Sequence, residues 1–261
     1  MSTASKLRSL RKFNLIMAGL HALQALAVFL LSDPHHGIST VTTSYLTLSP
    51  HSTVTSPKLI SATHSLFSVN LAYLVVAFFL LSALAHLFVA TVYRKRYESN
   101  LKLGINKVRW VEYALSASTM LVGIALLSGL SDFGGLIMVF GLTAIMNLMG
   151  LAMEVYNQGR EKPSWLAFNI GVLAGILPWI VVALLFWANN KYGSGHPPTF
   201  VYFIFVSMFL FFNCFAINMI LQYKRIGKWH DYLYGERVYI ILSLVAKSLL
   251  AWQVFAGTLR P

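Results

Sequence analysis

The stretch ILSLVAKSLLAWQVF, residues 241–255, decides how the rest of the chain is read. Every neighbour of Lys247 is apolar or small, as in a helix dissolved in lipid. A charged amine at the centre of a bilayer costs about 2.5–3.5 kcal/mol on insertion scales. Lys247 therefore needs either a partner or a purpose.

The rest of the 261 residues fits the same solvent: 57% are hydrophobic and only 11% are charged. Soluble domains carry roughly 25% charged residues. Seven apolar segments of about 20 residues each can cross a core of about 30 Å. They are expected at 13–32, 62–92, 106–130, 135–157, 165–189, 199–223 and 238–258, in one membrane domain covering 1–261. The predicted fold class is an all-α bundle of seven transmembrane helices. The external loop 33–61 has Thr- and Val-rich runs on either side of a Pro-containing turn and reads as a β-hairpin. It could cover the external mouth or meet a second copy. The internal loop YRKRYESNLKLGINK has room for a short helix.

The net charge of +12 could suggest nucleic acid, but its distribution argues against that partner. Basic residues cluster at 6–12, 94–109, 160–162 and 224–237, all on one side of the seven-segment arrangement. The other side has only Lys58, Lys191 and Arg260. The positive-inside rule then predicts a multi-pass cell-membrane protein with a cytoplasmic N-terminus and an extracellular C-terminus, with membrane lipid as its surroundings. The first segment is too long for a signal-peptide core, and Ser32-Asp33-Pro34 is a poor cleavage site. One cysteine, Cys214, makes no disulfide framework, and the eight histidines lack metal-ligand spacing.

The acidic residues supply a partner for Lys247 by elimination. Asp33 and Asp132 fall in external loops; Glu98, Glu161, Asp231 and Glu236 fall in internal ones. Glu154 is near a helix end and can reach the interface. Only Glu112 is expected deep inside, at a depth comparable with Lys247. His21 and His86 share that half of the membrane, and Ser243, Ser82 and Ser116 each lie one turn from Lys247, His86 and Glu112. The bland reading is an ion pair that fixes helix packing, with histidines and serines that bond neighbouring helices. The functional reading is that a lysine beside a carboxylate suits a Schiff base with an aldehyde, Glu112 being the counterion. The aromatic residues, Trp179 after Pro178 and FLFFNCF among them, permit a slot for a long polyene.

The wording of the helices is similar to the heliorhodopsins: RWVEYALSAS around Glu112, GERVYIILSLVAKSLLAWQVFAGTL around Lys247, SALAH at His86, and KFN then GLHALQ around His21. PWI at 178–180 and FLFFN at 209–213 add two blocks. The resemblance implies all-trans retinal on Lys247 with Glu112 as counterion. It puts His21, His86, Ser82 and Ser243 in the surrounding pocket, and Tyr113, Trp179 and Asn213 are added as candidate chromophore contacts. It also implies a cytoplasmic-side polar network of Gln24, Asn106, Arg109, Glu236 and Trp252, light-driven isomerisation, a slow photocycle and a homodimer. Neither helix bears a carboxylate external to Glu112 or Lys247, and Ser243 stands where pumps usually place a second one. The expectation is a light sensor without net ion pumping, not itself an enzyme, that signals to an unknown cytoplasmic partner. The rivals are a light-driven or light-gated ion transporter, a light-regulated membrane enzyme or enzyme regulator, and a retinal-free transporter or receptor.

Overall fold

The computed structural model describes residues 2–195 and 197–260. Its elements are α1 (Thr3–Leu31), β1 (Ile38–Leu48), β2 (Leu59–Asn70), α2 (Leu71–Ala90), α3 (Arg94–Lys102), α4 (Lys107–Leu127), α5 (Phe133–Tyr156), α6 (Leu166–Tyr192), α7 (Thr199–Tyr223) and α8 (Tyr232–Val254). A 3-10 turn, Gly227–His230, leads into α8, and a π-helical turn, Phe255–Leu259, ends it. All the helices except α3 are long and apolar enough to span a membrane, so the chain has the build of a multi-pass membrane protein. Leu23, Phe29, Leu84, Leu173 and Phe203 face outward, whereas Asn14, His21, Ser82, Glu112 and Lys247 are buried. That inversion suits a bundle whose outer solvent is hydrocarbon.

Short polar side chains set where several helices begin. Ser2, Asn70, Asn106, Asp132 and Asp231 each accept a backbone N–H in the first turn of α1, α2, α4, α5 and α8. Such caps satisfy donors that have no intrahelical partner. They also correct three expected boundaries. α1 starts ten residues earlier than apolarity alone suggests, because Ser2 caps it and Leu7 and Leu10 are buried. α8 starts at Tyr232 rather than 238, behind Asp231. Residues 62–70 are strand rather than helix, and α2 starts only at Leu71, behind Asn70.

The hairpin is therefore longer than the expected loop. β1 and β2 pair antiparallel from Ile38↔Asn70 to Leu48↔Leu59, with a bulge between Val41 and Thr42. Thr42 N–H donates to the Ser131 carbonyl (2.8 Å) and Ser44 N–H to Asp132 Oδ2 (3.2 Å), tying the hairpin to the α4–α5 loop. It covers the face opposite the start of α1; the two ends of the bundle are called the hairpin face and the N-terminal face below. On the N-terminal face, α3 is pinned by buried Tyr97 and Leu101, which pack with Leu7, Leu10, Val89 and Ile240.

The hairpin half of the bundle has an apolar core that includes Val28, Phe79, Leu121, Ile124, Ile204 and Met208. Rings link α6 to α7: Trp179 meets Phe205, Phe209 and Phe212 at 5.4–5.8 Å between centroids. The polar interior lies in the other half.

Candidate functional site

Lys247 and Ser243 are four residues apart on α8 and point the same way. Lys247 Nζ donates to Ser243 Oγ (2.7 Å) and to Glu112 Oε1 on α4 (3.1 Å). Ser82 Oγ on α2 lies 2.6 Å from the same Glu112 oxygen and 3.1 Å from the Phe78 carbonyl, so its one proton has the carboxylate as the nearer acceptor. The Tyr113 ring sits 5.2 Å from Nζ, with its hydroxyl donating to the Tyr239 carbonyl (2.9 Å). Lys247 is 3% and Glu112 9% exposed, which is why the pair matters: removing either partner would leave a buried charge without compensation.

The two histidines form the next layer. The His21 and His86 rings stack, with centroids 5.5 Å apart and an interplanar angle of 7°. His86 Nδ1 lies 2.7 Å from Asn14 Oδ1. Asn14 Nδ2 donates to the Leu10 carbonyl (3.0 Å), which can only accept, and this fixes which way the amide points. Asn14 Oδ1 therefore accepts from His86, so His86 carries its proton on Nδ1 and leaves Nε2 free to accept one. His21 has neither ring nitrogen bonded among the described residues.

A second polar cluster lies closer to the N-terminal face. The Arg109 guanidinium bridges Glu154 of α5 and Glu236 of α8, over the rings of Tyr239 and Trp110 at 4.0 and 4.6 Å. Glu154 also accepts from the Asn106 N–H (2.9 Å), Trp110 Nε1 (2.7 Å) and the Tyr232 hydroxyl (3.0 Å). Glu236 accepts from Asn106 Nδ2 (2.5 Å) and the Tyr97 hydroxyl (3.4 Å). Burial first, then the Glu236 carboxylate, hold the Tyr97 phenol well above the usual tyrosine range, so it stays a donor. Gly150 makes the cluster possible: a Cβ there would run into the Trp110 ring. A small cavity bordered by Asn14, His86, Tyr97, Arg109, Glu112 and Glu236 joins the two clusters.

These contacts revise several expectations. Glu154 does not reach the interface; it is 3% exposed inside the bundle. Glu236 is likewise buried, at 1%, so Glu112 is not the only carboxylate in the interior. Asn106, Arg109 and Glu236 meet, but Gln24 and Trp252 bond each other elsewhere (3.2 Å), on a partly exposed flank. At about 1.5 Å per residue, Gln24 lies about 15 Å beyond Asn14 and Trp252 about 24 Å beyond Glu236, too far to join them. Asn14, Tyr97, Trp110 and Tyr232 were not foreseen.

Beyond Lys247 Nζ an apolar slot opens. Its inner part is lined by Tyr113, Ala117, Met120, Phe212 and Phe215. It shares Met146, Asn147, Phe212 and Phe215 with an outer cavity of about 140 Å³ that reaches Trp179 and Asn213 between α5, α6 and α7. Gly171 and Gly175 stand where side chains on α6 would press on Met146 and Met149. A buried amine at the head of a long aromatic slot, with one carboxylate beside it, is the donor set a polyene aldehyde requires.

The fold and site define a rhodopsin-type seven-helix membrane protein. A solved light-driven proton pump, LR (Mac) from Leptosphaeria maculans, superposes with a TM-score of 0.54 at 15% identity, over 93% of this chain and 92% of that one. The chain belongs to the heliorhodopsin family, whose sequence model matches residues 10–259. No curated protein matches it. Family and fold together support a retinal-binding, light-responsive membrane protein.

Proposed function

We propose that this protein is a light sensor holding all-trans retinal as a protonated Schiff base on Lys247, with Glu112 as counterion. The observation that carries this is the buried Lys247–Glu112 contact of 3.1 Å at the closed end of the slot. Retinal, when bound, supplies light absorption and a change of shape. The protein does the rest. Glu112 balances the positive nitrogen, Ser82 and Ser243 steady the pair, and Tyr113 presents its ring face to the charge. Trp179 and Asn213 bound the far end of the slot.

The absence of net pumping is part of the proposal. On α4 and α8, no carboxylate follows Glu112 or Lys247 toward the hairpin face, and the core there is apolar. A proton released at Lys247 meets Glu112, and then His86 across the small cavity, on the N-terminal side. The protein thus stores the proton and returns it slowly, which suits a slow photocycle. The basic clusters favour placing the N-terminal face in the cytoplasm, where an unidentified partner would read the change. Exposed apolar residues on the hairpin, including Leu46, Leu48 and Leu66, favour a homodimer.

The test is a visible spectrum of the chain expressed with all-trans retinal, beside Lys247→Ala. A band that hydroxylamine bleaches and that the variant lacks is expected. A folded wild type without pigment would return the pair to a packing role. A steady photocurrent would overturn the non-pumping part alone.

A further inference from the structure

Away from the slot, α1, α2 and α3 meet around an open concavity on the N-terminal face. Arg11, Arg94, Lys95 and Arg96 line it, with Glu98 the one acid. Two of these cations are committed. Arg94 Nε pairs with Glu98 (2.8 Å), and Arg11 Nε caps α2 by donating to the Ala90 carbonyl (3.0 Å). Lys95 and Arg96 are exposed and make no hydrogen bond or ion pair among the described residues. On the same face Lys6 bonds Asp231 (2.7 Å) and Arg237 bonds Ser9 (2.6 Å), whereas Lys224 and Lys228, like Lys95 and Arg96, make no such bond among the described residues; what distinguishes Lys95 and Arg96 is the shared hollow. Like charges gathered in one hollow repel, so the fold has left a place for an anion.

Depth says which kind. The concavity begins where α2 ends, at the boundary of the spanning segment. Val92 on its rim is 85% exposed, and Leu87 and Phe88 in the last turn of α2 are also exposed. Exposed apolar side chains at the end of α2, one of which (Phe88) touches Tyr93 in the lining, adjoin the cationic hollow as an acyl chain adjoins its phosphate. A free phosphate would use only the hollow. α3 itself is held by buried Tyr97 and Leu101, and Tyr93 stacks on Phe88 at 5.2 Å, so the cations sit on a fixed base. We propose that the hollow between α1, α2 and α3 binds the phosphate of an anionic lipid headgroup, with Lys95 and Arg96 as its free cations. This stands apart from the photoreceptor reading, since it uses neither Lys247 nor the slot.

Native mass spectrometry of the full chain, stripped of lipid in mild detergent, tests it. The protein is titrated with phosphatidylglycerol, with phosphatidylcholine and with inorganic phosphate. One phosphatidylglycerol should be retained in preference to phosphatidylcholine. Lys95→Gln with Arg96→Gln should weaken that retention about 30-fold, from two lost cations near an anionic group. Lys224→Gln with Lys228→Gln removes equal charge from the same face and should leave it within about threefold. Lys95→Arg with Arg96→Lys keeps the charge and should keep the lipid, which guards against a folding artefact. Equal retention of the two lipids, or equal loss in the Lys224/Lys228 variant, would overturn the site. Inorganic phosphate competing as well as the lipid would overturn the lipid assignment.

Discussion

Replacing Glu112 by Gln keeps the shape of the side chain and removes its charge. In the structure the charged nitrogen lies 3.1 Å from Glu112 Oε1. At an effective dielectric constant of about 20, two unit charges at that separation attract by about 5 kcal/mol. Both partners are buried, so water recovers little of it. The glutamine oxygen can still accept from Ser82, which confines the perturbation to charge. In a pigment bound at Lys247, positive charge leaves the nitrogen on excitation, so the counterion stabilises the ground state more than the excited state. Its removal should narrow the gap and move the visible band to longer wavelength, by no more than that Coulomb energy. The same loss weakens the nitrogen's hold on its proton by up to about three to four decades. Where that prevails, the band collapses into the near ultraviolet and acid restores it. The assay is an absorption spectrum recorded across pH for wild type, Glu112→Gln and Ser82→Ala, with the serine variant shifting less. An unchanged band in Glu112→Gln, with unchanged pH dependence, would refute the counterion assignment.

Arg109→Met leaves Glu154 and Glu236 facing each other without their cation and should cost about 3–5 kcal/mol, read as a lower unfolding temperature in detergent. Adding Glu154→Gln and Glu236→Gln to that variant should recover part of the loss. Asn14→Leu strips His86 Nδ1–H of its acceptor and should cost about 1–3 kcal/mol; if the proton is stored at His86, flash spectroscopy should also show altered slow return kinetics. Gly150→Ala drives a methyl into the Trp110 ring and should destabilise by about 1–3 kcal/mol, with a change in tryptophan fluorescence that Gly141→Ala, in open space, does not show.

The pairing of Lys247 with Glu112 was legible in the sequence because helix position sets depth, and two lone opposite charges at one depth must find each other. Position along a helix does not set the direction a side chain faces. Glu154, near the end of α5, was therefore read as reaching water, whereas its face turns inward to Arg109. Residues 62–70 posed a different problem. ATHSLFSVN is apolar enough to be taken for the start of a span, and short apolar runs do not separate strand from helix. The deciding features are the ladder to residues 38–48 and the cap by Asn70, one set by tertiary pairing and the other by a single side chain. Gln24 and Trp252 were grouped with Arg109 through the family resemblance, and the rise along their own helices separates them.

Glu236 and Lys247 are eleven residues apart on α8, which puts them about 16 Å apart and within about 20° of the same helical face. One end of α8 is gripped at Glu236 by Tyr97, Asn106 and Arg109, from α3 and α4. Its other end, the π-helical turn Phe255–Leu259, is held as well: Leu259 is fully buried and its carbonyl accepts from the Asp33 N–H (2.9 Å). Mechanically this is a beam supported at both ends, with Lys247 partway along the span. A sideways push at Lys247 is shared between the two supports. A twist there works against the Glu236 clamp, and the torque arrives at α3 through Tyr97.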